Sequence, residues 1–162
     1  MSGALLGIAI GLAVGFPLAV AVHEGGHLLT VLCLGFHCRS YMLGPLEVSR
    51  GGVHWNRKWS LVHYGGLVHF EADEEVSLRK FAVVLAAGPL ANLLVGVLIR
   101  YVWQIALLPL MHRGHVTVGP MVVDMIALMN LGMVCNILPF VHRGRLSDGA
   151  QLLLLMKLAR KV

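Results

Sequence analysis

"AVAVHEGGHLLTVLCLGF", residues 19–36, sets His23, Glu24 and His27 inside an otherwise uncharged apolar run. An apolar run of this length is a helix that crosses a bilayer or lies deep in a core, and composition decides between the two. The 162 residues are 57% hydrophobic and 13% charged, with a mean hydropathy of +0.79, outside the range of soluble domains. Three stretches, residues 4–36, 81–111 and 116–141, exceed the roughly 20 helical residues needed to cross a hydrocarbon core of about 30 Å. The first has no basic n-region and outlasts the apolar segment of a signal peptide, so it reads as a retained helix. The expected fold is all-α and integral to a membrane: about three transmembrane helices in a single domain, residues 1–162, with neither an internal repeat nor a separate soluble unit.

The formal charge of +5 suggests nucleic acid until its distribution is read. Of 13 lysines and arginines, six (Arg39, Arg50, Arg57, Lys58, Arg79, Lys80) lie between the first two spans and five (Arg143, Arg145, Lys157, Arg160, Lys161) follow the third. Both groups fall on one membrane face. That is positive-inside patterning, which places the N-terminus outside and both basic segments in the cytoplasm; the expected partner is the lipid bilayer, with no role for nucleic acid. Arg100 and Asp124 lie at similar depth in adjacent spans, close enough to pair. Cys33, Cys38 and Cys135 have no CxxC spacing, and Cys33 and Cys135 read as apolar packing.

Residues 37–75 are not helical in pattern. Gly44-Pro45, Gly51-Gly52 and Gly65-Gly66 interrupt β-favouring residues, which predicts a hairpin-rich cytoplasmic segment resting on the membrane. "WSLVHYGGLVHFEA" in particular predicts strands at Trp59–Tyr64 and Leu67–Glu71 joined through Gly65-Gly66. A last helix is expected over residues 149–161.

His23 and His27 are four residues apart, so on a helix they project from one face about one turn apart. That is the spacing of a two-point metal clamp. Glu24, one position round, reaches a water on the metal without being a ligand, the division of labour in HExxH zinc hydrolases: the metal acidifies the water and the glutamate takes its proton. An unpaired charge inside a membrane helix costs at least about 2.5 kcal/mol, so three ionisable groups together call for a function. Gly25 and Gly26 add room for another backbone to approach closely.

The second span holds "AAGPLANLL", residues 86–94, and the third leads into "CNILPFVHRGRLSDGAQLLLL", residues 135–155. Taken alone, each proline reads as a kink and each asparagine as an interhelical hydrogen bond. Together with HEGGH, and in the same order along the chain, these elements resemble the site-2 protease family of intramembrane zinc metalloproteases. The resemblance implies a Zn2+ cofactor held by His23, His27 and, from the Asp-Gly element, Asp148. It implies Glu24 as general base, Asn136 of Asn-x-x-Pro as a substrate-binding or oxyanion-stabilising group, and Asn92 of Gly-Pro-x-x-Asn lining the same site. The β-rich segment would present an unfolded stretch of substrate by edge-strand pairing.

The activity so implied is regulated intramembrane proteolysis of single-pass or signal-anchor proteins, in a plasma membrane of prokaryotic type, with the active site opening to the cytoplasm; a homo-oligomer is compatible with it. Two departures stand out: Ser147 precedes Asp-Gly where the family usually has leucine, and "VHRGRL" reads as an insertion lengthening the interval from Asn136 to Asp148. The chain looks like a minimal member.

Residue chemistry leaves His142 and Asp148 competing to be third ligand. His142 follows the third span almost directly, as an interfacial residue would, whereas Asp148 has Gly149 beside it and starts the next helix, which it is placed to cap. At about 1.5 Å per residue the two histidines lie roughly 14 to 20 Å from Phe36, so residues 139–147 must fold back inward to deliver Asp148. The alternative to an enzyme is a non-catalytic metal-binding scaffold or a metal transporter using the other histidines. Against it, His54, His63 and His69 fall in the cytoplasmic segment while His112 and His115 fall on the far face.

Overall fold

Gly7, Gly11 and Gly15 recur every fourth residue and therefore share one helix face. In the computed structural model, which describes residues 3–55, 65–71, 77–107, 118–142 and 144–160, they lie in α1 (Gly3–Cys33) and form its contact with α3 (Val118–Met133). A Cβ on Gly7 would stand 2.6 Å from Met121 Cβ, and one on Gly15 would stand 3.0 Å from Ile126 Cα. Between them in chain order comes α2 (Leu78–Val102), which continues into a π-helical turn, Trp103–Leu107. It approaches α1 at Gly26, where a Cβ would meet the Ala87 carbonyl oxygen at 2.6 Å. Gly26 thus allows the close approach expected of the pair, while Gly25 faces nothing within 4 Å.

The distribution of side chains is the reverse of a soluble bundle. The buried residues of α1 are Gly7, Gly11, Gly15, Ala19, Val20, His23, Glu24, His27 and Val31, whereas Leu5, Leu12, Leu18, Leu29 and Leu32 are exposed. Small and polar residues meeting inside is the arrangement expected of helices in lipid, whose tails are as apolar as leucine, so that close packing and hydrogen bonds hold the helices together. Among the described residues three helices are long and apolar enough to cross a membrane: Gly3–Cys33, Leu78–Ile105 and Val118–Ile137, with mean hydropathies of 2.4, 2.3 and 1.7.

Several boundaries differ from expectation for local reasons. The first span stops at Cys33, and Gly35, with φ +77°, turns the chain toward the sheet. The second starts at Leu78, because the Ser77 hydroxyl accepts from the Arg79 N–H. The third does not reach 141: α3 tightens into a 3-10 turn, Val134–Ile137, and Leu138 is extended, as a residue before proline prefers. Cys33 and Cys135 are exposed, on outward faces of their helices and not in packed interiors.

The chain is mostly helical but not all-α. After α1 come β1 (His37–Leu43), β2 (Leu46–Ser49), β3 (Gly52–Trp55) and β4 (Gly66–Glu71), forming one antiparallel sheet in the order β3-β2-β1-β4. Gly44, with φ +55°, turns β1 into β2. Leu67–Glu71 is a strand as expected, but it pairs with β1, Met42 opposite Leu67 and Cys38 opposite Phe70. Gly66 opens β4 instead of sitting in a turn; the proposed arm Trp59–Tyr64 lies outside the described residues. Phe36, Val31 and Val84 form a small core with Val68 and Phe70 packed on it, and the Phe70 ring lies 5.2 Å from that of Phe81. This aromatic wedge holds β4 against α1 and α2.

"VHRGRL" folds as a second hairpin, β5 (Val141–His142) and β6 (Arg145–Leu146), with Gly144 at φ +77° in its turn. It supplies the inward return that the third ligand requires. α4 (Asp148–Ala159) follows, and its N-cap is Ser147, not Asp148: the hydroxyl accepts from the Ala150 N–H at 3.1 Å and the Phe140 N–H at 3.0 Å, and donates to the Leu138 carbonyl at 2.7 Å. A leucine here could do none of this. The serine caps the helix and ties it to the hairpin, leaving the Asp148 carboxylate free.

The expected pairing of Arg100 with Asp124 is present, Nη1 to Oδ1 at 2.5 Å across α2 and α3. In a double-mutant cycle on thermal unfolding in detergent, Arg100→Leu should destabilise more in the wild type than in an Asp124→Leu background; additive losses would rule out energetic coupling.

Candidate active site

The stacking of His23 above His27 on α1 brings their rings to 4.8 Å between centroids, nearly perpendicular at 84°. Both are buried. Gly88 of α2 lies against them, and a Cβ there would stand 2.8 Å from His23 Nε2 and closer still to His27. Each imidazole is then fixed from behind. His27 Nδ1 lies 2.7 Å from the Val84 carbonyl; a carbonyl only accepts, so Nδ1 carries the proton. His23 Nδ1 lies 2.8 Å from Asn92 Oδ1, and the Asn92 amide orientation is itself fixed because Nδ2 donates to the Ala19 carbonyl at 2.9 Å and to Asn130 Oδ1 at 3.1 Å. His23 therefore also donates from Nδ1.

Both Nε2 atoms consequently turn lone pairs toward the same place. Asp148 Oδ2 occupies it, 2.9 Å from His23 Nε2 and 3.5 Å from His27 Nε2, and the three ligand atoms lie within 4.8 Å of one another. Two lone pairs and a carboxylate oxygen aimed at one point repel unless a cation lies between them. Two imidazoles and a carboxylate with a fourth position open are the donor set of a catalytic zinc. The residues fit the ion, and the hydrogen bonds behind the imidazoles are the orienting shell that such a site uses.

Asp148 reaches this point because Gly149 lets α4 start against the backbone of Ile137 and Leu138; a Cβ there would collide with the Ile137 carbonyl. His142 is exposed on β5 and stands outside the cluster, as do His54 on β3 and His69 on β4; His63, His112 and His115 lie outside the described residues. Asn136, in the 3-10 turn, places Nδ2 at 2.6 Å from Asp148 Oδ2 and 3.2 Å from His23 Nε2. Glu24 is only 9% exposed, and among the described residues its carboxylate has no hydrogen-bond partner. Gly66 of β4 lies against it, where a Cβ would come within 2.8 Å of Oε1. A cleft of about 230 Å3 opens over these groups, lined by His23, Glu24, His27, Asn136 and Asp148 on one side and by Gly66, Leu67, Val68 and Phe70 of β4 on the other.

Asn92 does not face this cleft. It is fully buried behind His23, a positioning residue and not a lining one. Asn130, 1% exposed, completes that support by donating to the Ile126 carbonyl. It escaped the sequence reading, although a carboxamide in the middle of an apolar helix was signal enough.

The sequence model of peptidase family M50, the site-2 protease family, matches residues 11–126. The chain belongs to this family. Membership makes it a metallopeptidase of a zinc-dependent family, and the match spans His23, Glu24, His27 and Asn92. It ends before Asn136 and Asp148, which join the site by geometry. No curated protein matches the sequence.

Two outcomes follow for the purified protein. Asn92→Leu should weaken zinc affinity about 10- to 100-fold, the usual cost of losing an orienting partner, as read by competition with a chromophoric chelator. In metal analysis Asp148→Asn should lose zinc while His142→Ala retains it; the reverse pattern would transfer the third position to His142.

Proposed function

We propose that the chain is an intramembrane zinc endopeptidase that hydrolyses peptide bonds in or beside the transmembrane segments of single-pass or signal-anchor proteins. The observation that carries the reading is a buried Glu24 carboxylate, unpartnered among the described residues, beside the His23, His27 and Asp148 cluster and set within helices long and apolar enough to span a bilayer. Positive-inside patterning favours an N-terminus outside and a cleft opening to the cytoplasm, where release of a cytoplasmic factor or clearance of membrane remnants would follow cleavage. A plasma membrane of prokaryotic type remains the setting that the family resemblance suggests.

His23, His27 and Asp148 would hold the ion, and a bound zinc supplies Lewis acidity that lets a water molecule lose its proton near neutral pH. Glu24 takes that proton and returns it to the leaving amine. Its lack of a partner among the described residues suits the task, because a carboxylate already engaged in hydrogen bonds would be a weaker base. Asn136 Nδ2 donates to Asp148 Oδ2 at the cleft wall, and its second N–H, released from His23 Nε2 once that atom holds the ion, can donate to the carbonyl oxygen of the scissile bond as negative charge develops there. β4 stands at the edge of its sheet among the described residues and lines the cleft along Gly66–Phe70. A substrate unwound from its helix can pair with this edge as a fifth strand, its backbone held across the histidines. A scaffold or transporter would leave Glu24 without a role.

The test is Glu24→Gln. The variant should keep its zinc, since Glu24 is not a ligand, and should lose cleavage of a reconstituted transmembrane substrate by several orders of magnitude. Unchanged cleavage would remove the proteolytic reading.

A further inference from the structure

Three cavities meet at the β5–β6 hairpin. The metal cleft is the first. The second, about 530 Å3, is apolar and runs beside it between α2 and α4, lined by Leu67, Leu85, Leu154 and Leu155. The third, about 410 Å3, lies between α1 and the end of α3 and reaches His23 and Glu24. Arg145 and Leu146 of β6 line all three, so β6 is the wall facing β4 across the path a substrate strand would take. Its place is set by the pairing of His142 with Arg145 and Val141 with Leu146 and by the Ser147 cap.

Arg145 is exposed at this wall. Among the described carboxylates near the cleft, Glu71 pairs with Arg39, Asp148 sits between the histidines, and Glu24 lies beside the metal cluster without an ion pair. Among the described residues no carboxylate pairs with Arg145. A guanidinium is always charged and presents a planar fork matched to a carboxylate, and here it stands beside an apolar cavity large enough for a bulky side chain.

We propose that Arg145 is a specificity-determining residue that selects substrates carrying an acidic side chain within a few residues of the scissile bond, next to an apolar one that enters the cavity between α2 and α4. The inference rests on the proteolytic reading and adds the substrate class to it. Side chains of a strand alternate between its two faces, so the preference belongs to alternate positions and not to their neighbours.

The test uses the zinc-loaded full chain in phosphatidylcholine vesicles, whose headgroups have no net charge. The probe is a leucine-alanine transmembrane peptide with one glycine-serine break, carrying a single Glu, Gln or Lys at each of six positions around the break. Binding is read by fluorescence anisotropy in the Glu24→Gln background, and cleavage is read with Glu24 intact. The expected result is tighter binding of Glu than Gln peptides at alternate positions, by roughly three- to fivefold as for an exposed ion pair, with kcat/KM following. Arg145→Glu should reverse the order to favour Lys, and Arg145→Lys should preserve it. Equal binding of all three peptides, lack of binding included, overturns the inference, as does a Glu preference that survives Arg145→Glu. Loss of cleavage alone, with the charge preference in binding intact, counts against proteolysis and leaves the selectivity standing.

Discussion

The hydrogen bond from His23 Nδ1 to Asn92 Oδ1 is the contact on which the rest of the site depends. It determines which nitrogen of His23 faces the cleft, and it does so only because Asn92 is itself held by the Ala19 carbonyl and by Asn130. Three helices therefore meet at one carboxamide. The close approach that this requires comes from Gly26 and Gly88, where a larger residue would push α2 away from α1. A buried polar network of this kind is favourable only when every member is satisfied, and here both oxygen and nitrogen of Asn92 are engaged.

The surrounding packing explains why such a network can sit in the middle of the fold. In water, leucines would crowd inward and the polar groups would be displaced to the surface. With leucines turned outward, the interior is left to glycine, alanine, asparagine and histidine, and the helices associate through contact and hydrogen bonds. Stability and site geometry thus draw on the same residues.

Much of this was legible in the sequence because the informative residues are periodic or chemically conspicuous. His23 and His27 at a spacing of four needed only a helix to bring them together, and Gly26 was visible as a candidate for close approach, whereas the same role of Gly88 was not. The third ligand was less legible: its place depends on a hairpin formed by "VHRGRL" and on three hydrogen bonds to the Ser147 hydroxyl. Ser147 read as a departure from the family pattern when it is the residue that delivers Asp148. The pairing of β4 with β1 had no comparable local signal, because Phe36, Phe70 and Phe81, which seat β4 against the helices, are distant in sequence. The supporting role of Asn92 depends on a backbone carbonyl at Ala19, to which side-chain patterns give no clue.

His23 and Asp148 are separated by 125 positions in the chain. An ion gripped by both would act as a staple, closing a loop that contains the sheet, α2, α3 and the second hairpin. Closing a loop of that length removes a large share of the freedom of the unfolded chain, as a disulfide would, in a protein whose described cysteines are all free thiols. The end of the staple that would come loose first is α4, a short helix tied through Ser147 and Gly149, and not α1, which is packed along its length by α2 and α3. A bound ion would therefore couple its own occupancy to the docking of α4, and the chain beyond α3 is where its loss would be felt first.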